Sequence, residues 1–158
     1  MNTNFLNSVT NFVKKRTFEL IGLLLIFAGI ALLVSFATYS PGDPSFVYGE
    51  KNLTIKNFFG IYGSIVSDFF LQSFGLISFL LTITITSWGV SLITKKEIKR
   101  IIIKLFFLIL YLIFGTVFIY INYNNSFWLI DNGNSGFLGQ LVYSYIYEQF
   151  PEIKNHYT

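Results

Sequence analysis

The sequence predicts an all-α fold, a polytopic transmembrane helical bundle of three spans plus one short amphipathic extracytoplasmic helix. Three charge-free apolar runs, 20–42, 69–94 and 105–130, hold 23, 26 and 26 residues. About 20 apolar residues cross the hydrocarbon core of a bilayer. The composition agrees, with 53% hydrophobic and only 12% charged residues, where a soluble domain carries about 25% charged. Cysteine is absent, which excludes disulfides, thiol nucleophiles and thiolate metal sites.

Charge placement sets the expected topology. Lys14, Lys15 and Arg16 precede the first run, and Lys95, Lys96, Lys99, Arg100 and Lys104 lie between the second and third. Lys51, Lys56 and Lys154 would lie on the opposite side with Asp43, Glu50, Asp68, Asp131, Glu148 and Glu152. Short basic loops stay in the cytoplasm. The N-terminus is therefore expected inside, residues ~40–66 outside, the 95–104 loop inside and residues after about 122 outside. This asymmetry accounts for the basic residues without nucleic acid. A cleaved signal peptide fits less well, because the first run exceeds the usual apolar core of such peptides.

Residues 1–17 read as a cytoplasmic segment, polar and frayed to about residue 13. Residues 18–150 read as the membrane domain, with spans at about 20–40, 69–94 and 101–121. The first helix is expected to start near Thr17, with Lys15 and Glu19 as an i,i+4 pair. Gly22 and Gly29 share one face, where small residues allow close approach. Pro41, Gly42 and Pro44 stop the helix, and Asp43 and Ser45 suit local backbone donors in a turn.

Residues 57–68 predict a helix that starts outside and runs into the second span. Gly60, Gly63, Ser64 and Ser67 recur at helical spacing, and Asp68, Gln72 and Gly75 extend the same face. Such a stripe would face other helices rather than lipid. An acid beside a span is a functional candidate by default; the residues around Asp68 favour local hydrogen bonding at the interface. Trp88 is expected near the inner interface, and Tyr120, Tyr123, Phe127 and Trp128 in an outer aromatic belt. The short 95–104 loop makes the second and third spans an antiparallel hairpin. Residues 122–136 read as loop.

Leu138, Leu141, Val142, Tyr145 and Ile146 then predict an amphipathic helix at about 137–149. It is too short to span, so it should lie in the interface or against the bundle, ending at Pro151. Residues 151–158 read as a polar tail leading to a fourth span absent from this sequence.

Little here suggests catalysis. No Gly-x-x-x-x-Gly-Lys-Ser/Thr phosphate loop occurs, so no nucleotide site of that type is expected. His156, the one histidine, pairs at best with Glu152 in the tail, a poor metal site. No cofactor is expected. Asn52-Leu53-Thr54 and Asn124-Asn125-Ser126 match the glycosylation pattern, as chance allows in an Asn-rich chain. A channel or transporter would need polar groups lining a path; Ser78, Thr82, Thr84, Thr86 and Ser87 form only a loose set on several faces. A small stand-alone membrane scaffold is the other alternative.

The order of these features resembles a known family. Tyr39-Ser40-Pro41-Gly42-Asp43-Pro44-Ser45 after a first span is similar to the Ser/Thr-Tyr-x-Pro-x-Asp-Pro-Ser signature in the N-terminal four-span domain of the FtsK family. Asn57, Gly60, Gly63-Ser64 and Asp68 stand where that family has Asn, Gly, Gly-Ala/Ser and Asp. Phe74-Gly75, Trp88-Gly89 and Gly136-x-x-Gly139-x-Leu141 follow in order, and the 16–19 stretch before the first span is also similar. The resemblance covers about residues 16–150. It implies a septal anchor at the bacterial inner membrane, acting in cell division and chromosome segregation. It also implies self-association and contacts with septal division proteins, with the 39–45 turn and the 136–150 helix as candidates for extracytoplasmic contacts. DNA and ATP would be engaged only through a C-terminal motor absent from this sequence.

Overall fold

The computed structural model describes residues 3–45, 54–97, 100–126, 128, 129 and 131–149. The expectations for Glu50, Lys51, Asn52, Lys99, Phe127, Pro151, the Glu152–His156 pair and the tail fall outside the described residues. Helices run Thr3–Ala37 (α1), Gly60–Phe74 (α2), Ser78–Lys95 (α3), Ile101–Tyr123 (α4) and Gly136–Gln149 (α5). A single 3-10 turn, Gly75–Ile77, separates α2 from α3. Among the described residues, three helical stretches are long and apolar enough to cross a membrane: Asn7–Ala37, Gly60–Lys95 taken through that turn, and Ile101–Tyr123. The all-helical class and the three apolar spans agree with the sequence.

Helix α1 starts at Thr3 rather than near Thr17. No glycine or proline interrupts residues 3–21, and extending a helix is far easier than nucleating one. Arg16 stacks over Phe12, 5.3 Å from the ring centre, and Lys14 over Phe18 at 5.9 Å. The basic partner of Glu19 also differs from expectation. Its carboxylate meets Arg16 at 2.5 Å and Lys96 at 2.6 Å, not Lys15. Lys96 sits just past the end of α3, so this pair ties the start of the first apolar run to the end of α3.

Helices α1 and α3 run antiparallel on two glycine contacts. A methyl group on Gly22 would come within 2.7 Å of the Gly89 carbonyl oxygen, and one on Gly89 within 2.6 Å of the Gly22 carbonyl oxygen. Gly29 lies against Thr82 and Thr86 in the same way. Without a hydrophobic drive between helices in lipid, close van der Waals approach supplies much of the association.

The expected second span, 69–94, is not one helix. It breaks at Gly75, whose φ of 59° and ψ of −143° suit glycine alone. The carbonyl oxygen of Asn134 would lie 1.9 Å from a Cβ there. The Leu76 N–H donates to that same oxygen at 2.8 Å, which satisfies a backbone donor that the break would otherwise orphan.

The hairpin partner α4 stands partly apart. It meets α5 and the Gly75–Ile77 turn, and an open apolar wedge of about 680 Å³ separates it from α3. Thr84 and Tyr111 hydroxyls bridge the wedge at 3.1 Å. Only Leu112 and Thr116 are buried on α4. The core gathers instead around the C-terminal end of α1, where Phe36, Tyr39, Leu71 and Leu129 are buried among Leu32, Phe70, Phe79 and Trp128.

Candidate functional site

The residues singled out by the turn motif converge at this end of the bundle. Helix α1 ends in apolar surroundings with carbonyls that have no partner in the helix itself. Asn57 supplies one: its Nδ2 donates to the Ser35 carbonyl at 2.9 Å and to Ser67 Oγ at 3.3 Å. Ser35 Oγ in turn donates to the Gly63 carbonyl at 2.7 Å. A Cβ at Gly63 would stand 2.0 Å from Asn57 Oδ1, so the glycine makes room for the asparagine.

Asp43 organises the turn itself. Ser40 and Asp43 close a backbone turn at 3.0 Å, with Pro41 at the position whose fixed φ suits it. The buried Asp43 carboxylate accepts the Lys56 N–H at 3.0 Å and the Asn57 N–H at 2.8 Å. Its role is therefore to staple two segments 13 or 14 residues apart, rather than to cap its own turn. The Pro44 carbonyl accepts Ser64 Oγ at 2.5 Å, and Ser45, half-buried, follows it. Ser67 Oγ donates to the Ser64 carbonyl at 3.0 Å.

Tyr39 joins this turn to α2 and to the loop before α5. Its hydroxyl donates to Asp68 Oδ1 at 3.1 Å and accepts from Gln72 Nε2 at 3.1 Å. Gln72 Oε1 accepts from Asn132 at 2.9 Å, and the Tyr39 carbonyl accepts the Trp128 indole N–H at 3.2 Å. The Tyr39 and Trp128 rings meet edge to face at 5.5 Å. Burial, and next the Asp68 charge, push the Tyr39 phenol above its ordinary pKa, so it stays a neutral donor. Half-buried Trp128 thus pins its loop to the 39–45 turn.

A second joint lies beside the first. Gly136, with φ of 66°, packs its backbone on that of Ser73 and Gly75. Gly139 lies on the Thr116 carbonyl of α4. Ser135 donates from N and Oγ to Asn124 Oδ1 at 3.2 and 2.7 Å, and Asn134 Nδ2 reaches the Tyr123 carbonyl at 2.8 Å. The Asn124 side chain thereby ties the end of α4 to Ser135. Tyr120 packs on Tyr143 at 4.8 Å between ring centres.

The remaining sequence candidates stand elsewhere. Trp88 and Gly89 lie toward the opposite end of α3, Trp88 in a crevice with Ile21, Leu25, Ile101 and Lys104. Gly60 opens α2 with φ of 62° and no neighbour where a Cβ would go. Phe74 stacks loosely on Phe70 at 6.2 Å. Leu141, with Tyr145 and Ile146, is exposed; α5 docks through Gly136, Gly139 and Tyr143 and turns those apolar residues away. The sequence reading did not single out Asn134 or Ser135. Their signal was only a polar loop composition, which does not say which carbonyl or amide they serve.

Among the described residues, every buried side-chain nitrogen and oxygen has a hydrogen-bond partner. No group of three His or acidic residues is placed to hold a metal among them. The cluster is a clasp whose polar atoms are spent on holding backbone segments together.

Comparison with known proteins decides the lineage. The family model for the 4TM region of DNA translocase FtsK/SpoIIIE matches residues 14–153. The chain belongs to the FtsK/SpoIIIE 4TM family. Among its relatives, the DNA translocase FtsK of Azospirillum brasilense is 32% identical over 90 residues, covering 56% of this chain and 14% of that protein. Those of Rickettsia bellii and Bradyrhizobium diazoefficiens are 27% and 26% identical, covering 75% and 85% of this chain but 15% and 16% of their own length. The chain thus spans about a seventh of the FtsK proteins it matches. No solved structure matches it. As a 4TM-family chain with three apolar spans, it is the membrane region of an FtsK-type protein, which is not the motor.

Proposed function

We propose that this chain anchors a DNA translocase of the FtsK type in the inner membrane and targets it to the division septum. The observation that carries the reading is the family match over residues 14–153 on a chain with three membrane-length apolar stretches. The N-terminus faces the cytoplasm, because eight of the eleven basic residues flank one side of the spans. The clasp then lies on the extracytoplasmic side, where it presents the 39–45 turn and α5 to septal division proteins. Translocation of DNA, driven by ATP, belongs to a separate motor segment of the whole protein. Self-association would use a face other than the Gly63, Ser64 and Ser67 stripe, since those residues are buried within the chain.

A channel reading is less well supported. Ser78, Thr82, Thr84 and Thr86 donate to carbonyls of α2 or α3, so they form no free polar lining. The test is a fluorescent fusion of the full-length protein followed in dividing cells. With Asp43→Ala and Pro44→Ala combined, septal localisation should be lost while membrane association remains. Undiminished septal signal would remove the turn from the targeting role.

A further inference from the structure

Helix α2 crosses α1 instead of running beside it. The two meet through Ser35 on Gly63 at 2.7 Å, and through Tyr39 on Asp68 and Gln72 at 3.1 Å. Residues 35 to 39, at and just past the end of α1, would cover ~6 Å at helical rise, whereas residues 63 to 72 cover ~14 Å of α2. Helix α3, by contrast, follows α1 from Gly22–Gly89 to Gly29–Thr86 to the Phe36–Phe79 ring contact at 5.7 Å. The turn at Gly75 separates these two directions.

The two faces of α2 differ sharply. Gly63, Ser64, Ser67 and Leu71 are buried. Phe58, before the helix, and Tyr62, Val66 and Phe69 within it are 72%, 81%, 37% and 53% exposed. Tyr62, Val66 and Phe69 fall on one helical stripe at i, i+4 and i+7, without a charge, and exposed Phe58 precedes it. A crevice of about 430 Å³ runs beside that stripe, with Phe59, Tyr62 and Val66 on one wall and Ala28, Ala31 and Leu32 of α1 on the other. Ala31 and Ala28 stand six and nine residues before Ala37, or ~9 and ~14 Å along the axis. Tyr62 and Val66 of α2 therefore line the same crevice as residues well inside the first span. On α1 itself, Phe27, Ile30 and Leu33 are exposed as well.

We propose that α2 lies in the plane of the bilayer interface, its Tyr62, Val66 and Phe69 stripe and the preceding Phe58 immersed among the acyl chains of that leaflet. The occupant of the crevice is lipid. Helices with an apolar face of this kind bury it ~5–10 Å into the headgroup–acyl boundary, and aromatic rings settle there. The polar face carries the clasp, so the depth of α2 in the leaflet fixes the height at which the 39–45 turn is displayed.

The chain has no cysteine, so single nitroxide labels report cleanly. Tyr62→Cys and Val66→Cys would be labelled in phosphatidylcholine vesicles and compared with Leu24→Cys in the first span and Asn125→Cys in the exposed loop. Collision with molecular oxygen and with a water-soluble nickel chelate is then read for each. Immersion gives Tyr62 and Val66 labels an oxygen-over-nickel preference near that of Leu24, at a shallower depth. Nickel accessibility matching Asn125 would place α2 in water and overturn the proposal. Protection from both reagents would also overturn it, because a second chain rather than lipid would cover the stripe. Circular dichroism matching the unsubstituted protein guards against misfolding, and the two sites fail independently.

Discussion

Asn57 and Tyr39 show how single side chains hold the loop end of the bundle. Asn57 satisfies the Ser35 carbonyl at a helix end where water is scarce. Asn57→Ala should lower stability by roughly 1–3 kcal/mol, the usual penalty for stranding a buried polar group. A lower thermal midpoint in detergent with unchanged starting helicity would report it. Tyr39→Phe keeps the ring against Trp128 but loses two hydrogen bonds, and roughly 1 kcal/mol should follow. The raised phenol pKa also has a definite sign. Folding favours the neutral form, so the stabilisation is complete below the ordinary tyrosine range. It is lost as pH climbs beyond about 10. Unfolding followed from pH 8 to 12 should show that alkaline loss in the native chain and a smaller one in Tyr39→Phe.

At the level of elements, two glycine contacts decide which helices touch. Gly22 and Gly89 bring the α1 and α3 backbones together, and Gly89→Val forces them apart against backbone, not a yielding side chain. The expected loss is ~1–3 kcal/mol or more, with a longer α1–α3 distance between paired spin labels. Gly75 is constrained twice, by a positive φ and by the Asn134 carbonyl. Gly75→Ala should therefore destabilise by at least ~1–3 kcal/mol. Gly42→Ala, where a Cβ meets nothing within 4 Å, should leave the thermal midpoint unchanged and serves as the control. The apolar run 69–94 reads as a single span because local hydrophobicity does not register a break. The break exists because a carbonyl brought from residue 134 occupies the space and accepts the Leu76 amide.

For the whole molecule, the expected orientation leads to a direct test. With Asn125→Cys, a membrane-impermeant maleimide should label intact cells. With Lys14→Cys it should label only after lysis. The reverse pattern would place the clasp on the cytoplasmic side and rule out extracytoplasmic septal contacts through it.

The sequence by itself determined that the chain belongs in a bilayer, which apolar runs are long enough to cross one, and that a turn follows the first. Those properties follow from the length and charge of contiguous runs, which need no partner to be read. The ordered motif around residues 39–45 likewise carried the family resemblance. Only the tertiary structure decided what the motif residues do. Asp43 staples residues 56 and 57, Asn57 closes α1, and Gly75 and Gly136 meet backbone to backbone. Each of these acts on a group distant in the chain. A small or polar residue states that close approach or a hydrogen bond is available, and folding selects the carbonyl, amide or helix that receives it.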